Sequence, residues 1–410
     1  MKLYITMKKA LFCIILFIIS TQLFSQNYSI ISPDKTIKLS VDIFENVSFN
    51  IEYKGSLIIE NSTIDIGISG QYLFSGLPKV ILTTTSYVRD TIIPVVAQKS
   101  SVIVDEYNEL IIYFDGDYQL IFRTYNDGTA YRICTSFTGD VIVDDEAFNL
   151  NLTEGSTSLF PEEHSMISHN ERLYIPTKLD TLPESTYGSL PVLLRVKDVN
   201  ILFTEADLYD YPGMFMAGIN GNGLKAKFPN YVEEAIPKNG SDRNQFITTA
   251  SYLAKTSGTR NYPWRVMIIS DKDKDLIESN LIFQLSRPLE IEEIDWIIPG
   301  KVAWDWYNAN NIYGVDFEAG INTETYHYYI DFASEYGLEY VILDEGWSMS
   351  TTIINESNPD INIAELIAHG NEKNVGIILW VLWEPLDKKM DVMKIYNSWG
   401  VKGIKVDFMQ

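Results

Sequence analysis

Sulfur and positive charge are both scarce in this chain of 410 residues, which holds two cysteines and sets 32 basic residues against 55 acidic ones. Cys13 falls in the apolar N-terminal stretch, so Cys134 is the only thiol left if that stretch is removed, and an internal disulfide is then excluded. The net charge of −23 argues against nucleic acid as a partner, because a polyanion needs a basic surface. Histidine is also rare. His164, His169, His327 and His369 show no metal-ligand spacing, and a solvated or hydrogen-bonded role is the default for each. Beyond the N-terminus no apolar run approaches the roughly 20 residues needed to cross a bilayer, so no stable membrane span is expected. No internal repeat or low-complexity tract interrupts the chain. What is abundant is apolar surface: 46% of residues are hydrophobic, enough for two sizeable cores and two or three domains.

The first 25 residues read as a secretory signal. Lys8 and Lys9 precede an apolar run from Ala10 to Ile19, and Leu23-Phe24-Ser25 offers a cleavage site before Gln26. Its loss would take three lysines and deepen the net charge to −26. Residues 26–270 then alternate short β-rich runs with polar and glycine-containing turns. Asn126-Asp127-Gly128, between Gln119–Arg123 and Ala130–Ile133, is a strong hairpin signal. Many strands at this spacing predict a β-sandwich. A charged linker, 271–299, should contain one short helix around Leu276 to Leu285.

From residue 300 to 410 the texture changes to strands alternating with amphipathic helices. Lys301–Trp306, Tyr340–Leu343, Gly376–Val381 and Gly403–Phe408 read as strands. Between them Tyr326, Tyr329, Ile330 and Ala333 mark one helix closed by Gly337. Val392, Ile395, Tyr396 and Trp399 mark another, opened by Asp387 and closed by Gly400. Strict alternation predicts a parallel sheet, either doubly wound or a barrel of which four strands in eight are present. On the last strand Ile404, Val406 and Phe408 share an apolar face, while Lys405 and Asp407 share the other. In a β/α barrel the apolar face meets the helices. Asp407 is thereby turned inward at the C-terminal end, where such barrels keep their active sites, beside a lysine that favours its ionised form. Taken alone, Lys-x-Asp on a strand is a weak signal that more often marks a structural ion pair or helix cap.

Several longer segments carry a resemblance. Phe122–Arg132, Thr204–Met214, Gly258–Val266, Pro299–Trp306, Leu343–Trp347 and the terminal Gly403–Phe408 look like signature segments of glycoside hydrolase family 97, in the family's order. The resemblance implies a multidomain β plus α/β protein: an N-terminal β-sandwich followed by the first half of a (β/α)8 barrel, C-terminally truncated at residue 410. It also implies a bacterial enzyme, periplasmic or secreted, that depends on calcium and cleaves terminal α-galactosyl or α-glucosyl residues of oligosaccharides.

Within that family the retaining branch carries an aspartate on this strand, which makes Asp407 the nucleophile and Lys405 its support. The acid/base glutamate would lie on a later strand, leaving the chain as given inactive. Asp344, Glu345 and Glu384 are the nearest carboxylates by position, expected to fix loops or bind a sugar hydroxyl, with Asp344 preferred for the sugar. Glu171, followed two residues on by Leu173-Tyr174, matches the family's sandwich-domain calcium ligand, the other ligands lying beyond the chain. Trp304, Trp306, Trp347, Trp380 and Trp383 stand at or near strand ends, with Trp304 and Trp347 favoured to touch substrate. Asp305, on the opposite face from Trp304 and Trp306, should be a structural partner of the sandwich or of a helix. The resemblance favours an α-galactosidase, with an α-glucosidase of the same fold as the alternative; a noncatalytic carbohydrate-binding fragment is the alternative of another class.

Overall fold

The computed structural model describes residues 25–237 and 244–409, so the expected signal peptide lies almost wholly outside the described residues. The chain divides into two compact units, residues 25–233 with 249–292, and a second containing residues 293–409. Among the described residues no helix is long and apolar enough to cross a membrane.

The first unit is built almost entirely of antiparallel strands. Alternation is the reason: in Ile37–Ile43 residues Ile37, Leu39, Val41 and Ile43 are buried while Lys38, Ser40 and Asp42 are partly exposed, so one face enters the core and the other meets water. Strand β1 (Tyr118–Tyr125) turns through Asn126-Asp127 into β2 (Gly128–Asn151), pairing Tyr125 with Gly128. A Cβ on Gly128 would lie 2.3 Å from the Met267 carbonyl oxygen, so glycine is required there by close approach. Strand β2 is long enough to serve several partners. Its start pairs with β1 and with β3 (Trp264–Ser270), and its end pairs with Ser56–Ile68 and Gly223–Lys227. One strand shared in this way folds the sheet over its main core, with a smaller cluster around Trp264 beside it, giving a sandwich-like body.

After β3 the chain makes two short helices, α1 (Asp273–Glu278) and α2 (Leu281–Leu285), where one was expected. Ser279 between them is extended, and Lys99 donates to the carbonyls of Ile277 and Ser279, capping the first helix before the second begins. Leu281 and Leu285 are buried against Trp264, Val266 and Ile268.

The second unit carries a four-stranded parallel sheet in the order β4 (Val302–Trp304), β5 (Tyr340–Leu343), β6 (Gly376–Leu382) and β7 (Gly403–Asp407). Helix α3 (Thr323–Tyr336) joins β4 to β5, and α4 (Ile363–Lys373) joins β5 to β6. The Asn322 and Asn362 side chains accept from the N–H groups of Thr325 and Glu365, and Gly337 and Asn374 close the helices at φ 67° and 59°. The last connection holds two helices, α5 (Trp383–Lys388) and α6 (Val392–Trp399). Asp387 therefore lies inside α5, and Asp391 stands at the N-cap position assigned to it from the sequence. Ala303, Val341, Leu343, Ile377, Leu379 and Val381 form the sheet face that packs with Tyr326, Ile330, Leu366, Ile367 and Tyr396 of the helices. By alternation the opposite face carries Trp304, Ile342, Ile378, Trp380, Lys405 and Asp407.

Candidate active site

Parallel register sets Trp380 opposite Lys405 and Leu382 opposite Asp407. The Lys405 ammonium donates to Asp407 Oδ2 at 2.7 Å, and the Trp380 indole N–H donates to the same oxygen at 3.2 Å. The Phe408 N–H donates to Asp407 Oδ1 at 2.9 Å, a bond made by swinging Phe408 into the left-handed region at φ 49°. A phenylalanine there is strained, by about 1–3 kcal/mol, and the strand ends on that turn. Burial of the Asp407 carboxyl pushes its pKa up, but these hydrogen bonds and the lysine charge outweigh it and hold the group below the usual carboxylate range. Asp407 is thus an ionised, oriented carboxylate at the C-terminal end of a parallel strand.

A second carboxylate shares the lysine. Asp344, directly after β5, lies 3.4 Å from the Lys405 ammonium through Oδ2, and the same oxygen accepts the Trp304 indole N–H at 2.6 Å. The ammonium also sits 4.9 Å from the Trp304 ring centroid, on its face. Asp344 Oδ1 accepts the Glu345 N–H at 2.8 Å. These contacts make the buried Asp344 a holder of Trp304 and Lys405, and a sugar hydroxyl would have to share an oxygen already bonded.

Asp305 supports this cluster from behind. The chain leaves β4 at Trp304 and tightens into a 3₁₀ turn over Asp305–Asn308, shorter in strand and earlier in turn than the expected Lys301–Trp306. Asp305 is buried, accepts the hydroxyl of Tyr326 from α3, and accepts the Asp344 N–H at 3.4 Å. Of the two partners expected for it, the helix is the one found. Burial, joined by the Asp344 charge, pushes its pKa up to about 6 against these hydrogen bonds. A raised pKa means that the folded state binds the proton more tightly than the unfolded state. The stabilisation is complete below the ordinary aspartate value and is lost as pH rises through about 6. Asp305→Asn keeps an acceptor and does not titrate. It should gain on wild type by on the order of 2–3 kcal/mol between about pH 4 and pH 7 in denaturant unfolding. An equal stability difference at both pH values would show that Asp305 does not titrate in this window.

Other expected residues fall elsewhere. Trp347, favoured for substrate, is fully buried on the helix side, edge-on to Tyr396 and Trp399, with its indole N–H donated to the Trp380 carbonyl at 2.7 Å. It belongs to the core because the chain turns at Gly346, at φ 108°, and directs the ring beneath the sheet end. Glu384, expected in a loop, lies in α5 and pairs with Lys388. His327 and His369 bond Glu365 and Asp331 on the outer side of α3 and α4. Glu171 is exposed on the segment before Ile175–Lys178, and among the described residues no three His, Cys, Asp or Glu side chains gather to hold a metal. Calcium takes six to eight oxygen ligands. The residues described here do not form such a site on their own. The Trp380–Asp407 contact went unread in the sequence, although Trp380 shares strand parity with Ile378 and so lies on the Asp407 face.

Known proteins carry the same organisation. Residues 30–288 match the sequence profile described as Glycosyl-hydrolase 97 N-terminal, and residues 305–410 match that described as Glycoside hydrolase 97. The chain belongs to glycoside hydrolase family 97. It is 33% identical to a retaining alpha-galactosidase of Bacteroides thetaiotaomicron over 98% of its own length, and spans 63% of that relative. Its fold is similar to that of a family 97 enzyme solved in complex with acarbose from Pseudoalteromonas sp. strain K8, with TM-score 0.79, 21% identity, and 93% of this chain and 59% of that one covered. A beta-arabinopyranosidase structure matches with TM-score 0.77 and 22% identity over 93% of this chain and 62% of that chain.

Proposed function

We propose that this chain provides the nucleophile of a retaining exo-α-galactosidase, and that its parallel sheet is half of a (β/α)8 barrel. The observation that carries the reading is Asp407, ionised at a strand's C-terminal end with Lys405 at 2.7 Å. The 33% identity to a retaining alpha-galactosidase supports the choice of mechanism and of sugar. Asp407 attacks the anomeric carbon as the bond to the leaving oxygen breaks. A carboxylic acid, which the family resemblance implies on a later strand, gives that oxygen its proton. Water then attacks the same carbon, returning a proton to that carboxylate and freeing Asp407. Calcium enters only through the family, with Glu171 as one contributor, and no step above depends on it. Export from the cytoplasm is supported by the basic and apolar pattern of the first 25 residues.

The stereochemistry is directly measurable. Two displacements return the anomer of the substrate, so NMR of the first product that a full-length version forms from an aryl α-galactoside should show α-galactose before mutarotation. Initial β-anomer would assign an inverting mechanism and remove Asp407 as nucleophile. Rapid cleavage of the α-glucoside alone, with retention, would move the substrate to the glucosidase alternative.

A further inference from the structure

Among the described residues, two large aromatic side chains beside the site remain largely exposed. Trp306 is 64% exposed and Tyr307 is 79% exposed. Single exposed apolar residues are ordinary, but these are adjacent and sit on a turn held from beneath. Tyr326 donates to Asp305, and Tyr329, one helical turn on, donates to Asn308, so both ends of the 3₁₀ turn are tied to α3. The turn closes through Ala309 and Asn310, both left-handed at φ 51° and 56°, whose N–H groups donate back to Trp306 and Asp305. Ala309 lacks the side-chain compensation that asparagine finds in this region, so the sequence tolerates strain to keep the turn.

The rings continue the site outward. Trp306 stacks on Trp304 at 5.7 Å with 23° between planes, and Tyr307 meets Trp304 edge-on at 4.8 Å. Trp304 is the ring beneath Lys405, and Lys405 holds Asp407. An apolar surface therefore runs from the counter-ion of the nucleophile to solvent. The sugar under attack must lie over Asp407, and the rest of the substrate departs toward water. We infer that Trp306, flanked by Tyr307, is a rigid stacking platform for the sugar on the leaving-group side, giving preference to oligosaccharides over galactosides with small leaving groups. Flat rings meeting the apolar C–H face of a pyranose supply that contact, and a pre-held turn spares the cost of ordering it.

This inference rests on the reading of Asp407 as nucleophile, and one pair of substrates separates the two. Melibiose places a sugar on the platform, whereas α-galactosyl fluoride has a leaving group too small to reach it. In a full-length version, Trp306→Ala should lower kcat/KM for melibiose about 3- to 10-fold and leave α-galactosyl fluoride within about twofold, with Trp306→Phe restoring most of the loss. An equal loss on both substrates, or none on either, would overturn the platform. If a full-length version cleaves neither, the nucleophile reading fails, and melibiose titration followed by tryptophan fluorescence still decides the platform: binding lost in Trp306→Ala supports it, unchanged binding overturns it. Self-association of wild type that Trp306→Ala abolishes, with sugar binding intact, would assign the patch to a second copy instead.

Discussion

In a full-length version, replacing Asp407 with glycine should lower turnover of aryl α-galactosides by about three to five orders of magnitude, and azide should restore part of it as β-galactosyl azide. The wild-type carboxylate would attack from the β face and be displaced from the opposite side. With the carboxylate gone, azide enters the vacated space, makes the first displacement itself, and leaves a stable product with nothing to remove it. The folded structure should tolerate the change. Asp407 accepts from Lys405, Trp380 and the Phe408 N–H, but its side chain is 40% exposed and water can replace it. Glycine at the strand's last residue also costs little pairing. A fluorinated glycosyl donor should label Asp407 in the wild type and no other carboxylate. Activity within tenfold of wild type, or rescue yielding the α-azide, would remove Asp407 from the first displacement.

How much of this site was legible depended on whether a residue's direction is set by local period or by distant packing. Lys405 and Asp407 were readable because strand alternation fixes which side chains share a face, and Ile404 and Val406 declared the helix side. Gly337 and Gly400 were readable as helix ends for a similarly local reason, the left-handed C-cap. Trp347 misled because it follows the strand and belongs to no period. Its direction comes from the turn at Gly346 and from space beside Tyr396, a contact 49 residues away in sequence. Trp306 was placed on a strand that ends two residues earlier, since nothing in Lys301–Trp306 announces that Tyr326 will draw Asp305 inward. Asp387 fitted an N-cap by type, yet the chain spends it inside α5 and begins α6 after Asp391. Calcium was never a question of local pattern, because hard-cation ligands converge from separate segments.

Two carboxylates and one ammonium give the site a charge arrangement that a single substitution can unbalance. Asp407 and Asp344 both reach Lys405, at 2.7 and 3.4 Å, and Trp304 and Trp380 lend neutral N–H donors to the same oxygens. With the cation removed, the neighbouring anion is left to disfavour ionisation of Asp407. In a full-length version, Lys405→Met keeps most of the apolar stem beside the indole rings while deleting the charge. The Asp407 carboxyl should then lose the main influence that opposes its burial, and its pKa should rise. Because attack requires the ionised form, the acidic limb of kcat/KM must move to higher pH, by about one unit or more. At neutral pH turnover should fall by about 10²- to 10³-fold, since the remaining carboxylate is also less firmly oriented. The test separates the charge from the packing. A rate loss with the acidic limb unmoved would mean that Lys405 only positions Asp407, and Lys405→Arg would then restore the rate. A shifted limb that Arg brings back, with little recovery of rate, would assign the lysine to the ionisation of the nucleophile.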